Sequence, residues 1–190
     1  MNIILFGPPG AGKGTQAKNL EKKLNNFQVS TGDILRDEIK KESEIGRTII
    51  NYMNEGKFVD DKIVNNLIKK VVFDTQKKGK LIFDGYPRTL AQAENLDSLL
   101  KTYDQKIQIV LKLNVSLETV KKRILERKIL EKRTDDNEEV AIKRFQTYER
   151  SSEPVLEHYK QSNLVKVING EGTISEINTE ISGLIDANKG

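Results

Sequence analysis

The segment Gly7-Pro8-Pro9-Gly10-Ala11-Gly12-Lys13-Gly14-Thr15 carries the clearest chemistry in this 190-residue sequence. Its glycines let the chain curl until successive backbone N–H groups point inward and cradle phosphate oxygens. Lys13 brings a full positive charge toward the β- and γ-phosphates of a nucleotide, and a helix opening there adds its dipole. An apolar run, Ile3-Ile4-Leu5-Phe6, precedes the loop, and an amphipathic stretch follows it. That order, strand then glycine loop then helix, is the context a nucleoside triphosphate site requires. The general pattern has Ser or Thr directly after the lysine; here Gly14 stands there, with Thr15 one place later.

The elements that must hold this loop follow from hydrophobic spacing. Ile3–Phe6, Leu81–Phe83, Ile107–Leu113 and Leu164–Ile168 read as buried strands, with a weaker one at Phe27–Val29. Lys13–Leu24, Asp61–Gln76, Leu90–Leu100, Leu117–Leu130 and Glu138–Tyr159 carry helical spacing between them. Strands separated by helix-length segments require right-handed crossovers and a parallel sheet. The expected fold is therefore α/β, a P-loop NTPase-type five-stranded parallel sheet with helices on both faces. Two stretches depart from the alternation: Ser30–Val59 has helical patterns without a strand, and Glu126–Asp136 is almost entirely charged. With no internal repeat or low-complexity linker, the chain reads as one domain.

Composition removes much other chemistry. There is no cysteine, so disulfides, thiol nucleophiles and Cys-type zinc sites are excluded, and one histidine, His158, cannot build a His-cluster metal centre. Lys and Arg number 32 against 28 Asp and Glu, a net charge of +4, spread along the chain rather than gathered in a tail. That dispersal speaks against a nucleic-acid arm; the mild excess reads first as lysine-rich composition, with an anionic ligand met by some of these cations as the sharper reading. No run is long enough to span a membrane, and the first residues already read as a core strand, so the expected location is the cytoplasm.

The wording Gly-x-x-Gly-x-Gly-Lys-Gly-Thr resembles the nucleoside monophosphate kinases, the adenylate kinase family in particular. The resemblance implies that Gly10, Ala11, Gly12, Lys13, Gly14 and Thr15 hold ATP phosphates. Ser30-Thr31-Gly32-Asp33-Ile34-Leu35-Arg36 resembles that family's monophosphate-binding segment, with Thr31 toward the base and Arg36 on the acceptor's phosphate. Gly56-Lys57-Phe58-Val59 resembles the stretch whose backbone holds the acceptor nucleoside, which assigns Lys57, Phe58 and Val59 to AMP.

Asp84-Gly85-Tyr86-Pro87-Arg88-Thr89 follows a strand, and a carboxylate at a strand's C-terminal end lies where open parallel sheets bind ligands. Asp84 suits a Mg²⁺-bound water, since Mg²⁺ keeps most of its hydration shell. Gly85, Tyr86, Pro87 and Arg88 are implied AMP contacts, the last through a planar fork matched to phosphate. Gln92, a helical turn beyond Arg88, offers the donor and acceptor that an adenine edge needs. Thr31 and Gln92 favour AMP over the acceptor of UMP/CMP kinases.

Arg123 and Arg127 are four residues apart and face one way on a helix. The resemblance puts Arg123 against the ATP adenine and Arg127 on its phosphates, with Arg133 and Arg144 closing over the transferring group and contacting AMP. Gly172, in the turn Asn169-Gly170-Glu171-Gly172-Thr173, would touch the adenine through its backbone. Only five residues separate Arg127 from Arg133, which resembles the short-lid form without zinc. The implied organisation is a core of 1–29, 60–125 and 137–190, a monophosphate-binding segment 30–59 and a short lid 126–136. The implied enzyme is monomeric, works with ATP, AMP, ADP and Mg²⁺, and catalyses by Lys13, Arg88, Arg127, Arg133 and Arg144. A P-loop switch would carry a base-specificity motif such as Asn-Lys-x-Asp, and none is present.

Overall fold

The computed structural model describes residues 1–75, 80–131 and 136–188. Five strands, β1 (Asn2–Phe6), β2 (Phe27–Ser30), β3 (Leu81–Asp84), β4 (Ile107–Asn114) and β5 (Val165–Asn169), pair in parallel in the order β2-β3-β1-β4-β5. The helices between them include α1 (Lys13–Leu24), α2 (Thr31–Lys40), α3 (Glu44–Asn54), α4 (Asp61–Thr75) and α5 (Leu90–Lys101). They continue with α6 (Leu117–Glu131), α7 (Glu138–Lys160) and α8 (Ile174–Ala187). The five predicted strands are all present, Phe27–Val29 included.

Alternation along β1 shows why this sheet is buried on both sides. Ile4 and Phe6 join one apolar cluster with α4, α5 and α7 residues, while Ile3 and Leu5 join a second with α1, α6 and α8. From β1 the chain crosses past β3 to reach β2; from β3 it crosses past β1 to reach β4. Right-handed crossovers in opposite directions put α1 and α5 on opposite faces. A crevice opens between the C-terminal ends of β1 and β3, the place where doubly wound sheets bind ligands.

The two irregular stretches resolve differently. Residues 31–54 form the helical pair α2 and α3, each capped by a serine: Ser30 accepts from Asp33 N and Ser43 from Gly46 N. Gly46 lets these helices touch, because a Cβ there would lie 2.1 Å from the Glu38 carbonyl oxygen. In the charged run, Glu126–Glu131 continues α6 to its end and Asp136 is buried just before α7. Lys132, Arg133, Thr134 and Asp135 lie outside the described residues.

Gly46→Ala forces a methyl group into that backbone contact. Its expected cost is about 1–3 kcal/mol, the usual range for overpacking, read as a lower denaturant midpoint.

Candidate active site

The glycine loop turns directly off the buried end of β1. Gly12 caps α1 in the left-handed region, φ 91°, a conformation that only glycine adopts without strain. Lys13 reaches back across the loop, its Nζ donating to the Gly7 and Pro8 carbonyl oxygens at 2.8 Å each. Asp84, at the end of the neighbouring strand β3, faces the same loop: a Cβ added at Gly14 would lie 3.4 Å from its Oδ2. Glycine after the lysine thus leaves the Asp84 carboxylate beside the loop. Gln28 Nε2 donates to that same oxygen at 3.1 Å.

One cavity of about 640 Å³ runs from this loop to the helical pair α2–α3. At the loop end its wall includes Gly10, Ala11, Gly12, Lys13, Gly14, Thr15, Arg123, Arg127 and Gly172. Arg123 joins two parts of that wall, donating to Ala11 O at 3.4 Å and Gly172 O at 3.5 Å. At the other end stand Arg36, Lys57, Phe58, Gly85, Pro87 and Arg88, with Arg144 also on the wall. Arg88 is aimed twice: its Nε donates to Gly85 O at 2.8 Å, and its guanidinium lies 5.5 Å from the Phe58 ring centroid.

Four predicted residues stand behind the wall rather than on it. Val59 and Tyr86 are buried in the apolar core. Gln92 is 2% exposed, with its amide bonded to Arg88 N and Asp61. Thr31 is 4% exposed, and its hydroxyl oxygen is buried without a hydrogen-bond partner. Arg133 lies outside the described residues. His158 plays no part in the cavity; its Nε2 pairs with Asp97 at 2.7 Å between α7 and α5.

Cations line this cavity, and the effect of burying them is visible on individual groups. Burial pushes the Lys13 ammonium down to about 8; Asp84 opposes that shift, and Arg88 and Arg127 add to it. Burial likewise lowers Arg88 to about 10, helped by Arg144 and Arg36 and opposed by Asp84. A phosphate ligand would reverse both shifts by supplying the missing negative charge.

Asp136 is a residue at the site that sequence reasoning missed. Its side chain is fully buried and takes a two-pronged bond from Arg127, Nε and Nη2 each at 2.7 Å, with Arg144 Nη1 at 3.5 Å. Arg144 also donates to Met53 O at 3.0 Å, which ties α7 to the end of α3. One carboxylate therefore gathers arginines from α6 and α7. In the sequence it is one of several acids in a charged run, and nothing there marks which of them turns inward. Gln28, which bonds Asp84 across two strands, and Asp33, which pairs with Arg36 at 2.6 Å, were missed as well.

A family model described as Adenylate kinase matches residues 5–164. The chain is similar to the adenylate kinase of Pelagibacter ubique, 41% identical over 97% of this chain and 99% of that protein. It is also similar to that of Flavobacterium psychrophilum, 40% identical over 98% of each, and to that of Caulobacter vibrioides, 40% identical over 98% and 97%. The Pelagibacter comparison extends over 211 positions, more than this chain has residues, so that relative carries inserted residues. Phosphate loop, cationic cleft, parallel sheet and near-complete overlap with these relatives agree: the chain belongs to the adenylate kinase family of phosphotransferases.

Proposed function

We propose that this protein transfers the terminal phosphoryl group of ATP to AMP, giving two ADP, reversibly and with Mg²⁺, and so balances adenine nucleotides. The observation that carries this reading is the continuity of the cavity. The glycine loop with Lys13, the cations Arg36 and Arg88, and the arginines Arg127 and Arg144 all line it, which supports a site for two phosphate-bearing ligands. A single-nucleotide switch has no use for the second. The cations converge inside a cleft rather than on an open face, which suits small nucleotides instead of nucleic acid.

ATP and AMP together bring about six negative charges at neutral pH. Gly10, Ala11, Gly12, Lys13, Gly14 and Thr15 hold the ATP phosphates, with Arg123 and Gly172 at its base. Arg36 and Arg88 hold the AMP phosphate, and Lys57, Phe58, Val59, Gly85, Tyr86 and Pro87 shape its nucleoside site. Thr31 suits the base end, since its buried hydroxyl has no hydrogen-bond partner among the described residues. Gln92 keeps one N–H and one lone pair beyond the two bonds it makes.

An AMP phosphate oxygen attacks the γ-phosphorus of ATP, and the bond to the β,γ-bridging oxygen breaks with its electrons left on ADP. The attacking oxygen is already ionised, so no general base is needed. Lys13, Arg88, Arg127, Arg133 and Arg144 stabilise the charge spread over the transferring group. The residues present fit Mg²⁺ held mainly by phosphate and water: Asp84 faces the loop, while no cage of three or more His, Cys, Asp or Glu occurs among the described residues. Asp84 would hold a metal-bound water, and the ion supplies charge neutralisation on the phosphates.

Segments 30–59 and 126–136 act as acceptor clamp and short lid, closing to exclude water once both nucleotides are bound. The resemblance to the short-lid form supports a monomer. No helix among the described residues is long and apolar enough to cross a membrane. Together with the heavily charged composition, this supports a cytoplasmic enzyme.

The direct test is ADP formation from ATP with AMP, UMP, CMP or GMP in turn, with and without Mg²⁺; ADP must appear fastest with AMP and stop on chelation. Arg88→Ala should lower kcat by about 10²–10³-fold, the scale for losing one preorganised charge donor, with circular dichroism unchanged. Lys13→Met should abolish turnover yet raise the denaturant midpoint at pH 7. The sign follows from the lowered lysine: between about 8 and its ordinary value the unfolded chain binds more protons, so this group costs stability below pH 8. For the same reason ATP affinity of the native protein should weaken as pH rises through 8, seen by calorimetric titration.

A further inference from the structure

Asp61, the first residue of α4, stands two residues beyond the acceptor segment and belongs to none of the motifs read from the sequence. Its carboxylate accepts two hydrogen bonds from the start of α5: Thr89 Oγ1 donates to Oδ2 at 2.7 Å, and Gln92 Nε2 donates to Oδ1 at 2.7 Å. The far end of the Gln92 amide then accepts from Arg88 N, also at 2.7 Å. Thr89 in turn caps α5 by accepting from Gln92 N at 3.2 Å.

Chemistry makes this chain of bonds directional. An ionised carboxylate only accepts, so the Gln92 nitrogen must face Asp61, and its oxygen must then face Arg88 N–H. With the amide reversed, a donor would meet a donor at Arg88 and an acceptor an acceptor at Asp61. Gln92 is 2% exposed, so either mismatch would leave buried polar groups unpaired, which is costly. The backbone so pinned belongs to Arg88, whose guanidinium is aimed by Gly85 O and Phe58. Side-chain aim depends on that backbone, since the reacting phosphate tolerates only about an ångström of misplacement before rate falls steeply.

We propose that Asp61 is a positioning residue for the acceptor half of the reaction: it sets the polarity of the Gln92 amide and thereby fixes Arg88. The link also joins the end of the acceptor segment to the arginine that must meet the acceptor's phosphate. The loop that holds ATP lies at the other end of the cavity and shares none of these bonds. This proposal rests on the AMP-phosphorylating reading above. If the wild-type protein forms no ADP, that reading fails; if it does and the Asp61 series misbehaves, only this proposal fails.

The test compares Asp61→Leu with Asp61→Asn, in steady-state kinetics and in amide hydrogen exchange followed by NMR. Leucine keeps the branched skeleton of aspartate, is somewhat larger, and has no acceptor. It should raise KM for AMP and lower kcat, together reducing kcat/KM for AMP by about 10–100-fold, with KM for ATP unchanged. Arg88 N–H should exchange faster in that variant, while core amides such as Leu96 keep their protection. Asparagine can still accept from Gln92 and donate to the Thr89 oxygen, so it should restore kcat/KM to within about threefold of wild type. A purely structural staple would lower thermal stability and affect both substrates alike; that result overturns the proposal, as does a folded Asp61→Leu with wild-type KM for AMP. Should the leucine variant not fold, rapid exchange of Arg88 N–H in the wild-type protein, or an asparagine variant impaired as strongly as an alanine one, overturns it equally.

Discussion

Burial of several cations in one cleft is the constraint around which this structure is arranged. Lys13, Arg36, Arg88, Arg123, Arg127 and Arg144 all stand on the wall of a single cavity. Taking these charges out of water costs folding energy, and the lowered Lys13 and Arg88 show that cost, burial being the larger cause and neighbouring cations adding to it. Two carboxylates offset part of it. Asp84 opposes both shifts from the end of β3, and Asp136 binds Arg127 and stands beside Arg144. The residual positive field is what makes the cleft a phosphate site, so stability and function pull here in opposite directions.

That arrangement is possible because the sheet delivers its strand ends to one place. The loop after β1, Asp84 after β3 and the turn after β5 lie at the same edge, and opposite crossovers leave a crevice between the first two. Core strands hold these ends rigidly; Ile3, Ile4, Leu81, Ile82, Phe83, Val110 and Leu111 are fully buried. Chemistry is thus placed on short loops tethered to an immobile scaffold. The cations contributed by α6 and α7 are oriented instead by polar bonds, Asp136 gathering two arginines and Met53 O holding one of them.

Similar logic explains how relatives of different length share one cleft. The Pelagibacter comparison needs more positions than this chain contains, whereas the Flavobacterium one spans 187 at nearly the same identity. Extra residues in surface loops cost little additional closure entropy, so a fold of this kind tolerates such differences in length.

The sequence by itself determined the α/β class, the five strands, the glycine loop and most of the cationic wall. These signals are local: period-2 and period-3.6 apolar spacing, glycines where the backbone must turn, and a lysine at a helix start each act within a few residues. It also marked Asp84, because a carboxylate after a buried strand has only one end of the sheet to occupy. Tertiary structure alone decided that Asp136, among several acids in a charged run, would be buried between two arginines. It alone joined Gln28 to Asp84, and linked Asp61 to Gln92 across 31 positions. The reason is physical: a polar side chain is assigned its role by the partner that replaces its water, and these partners come from distant parts of the chain.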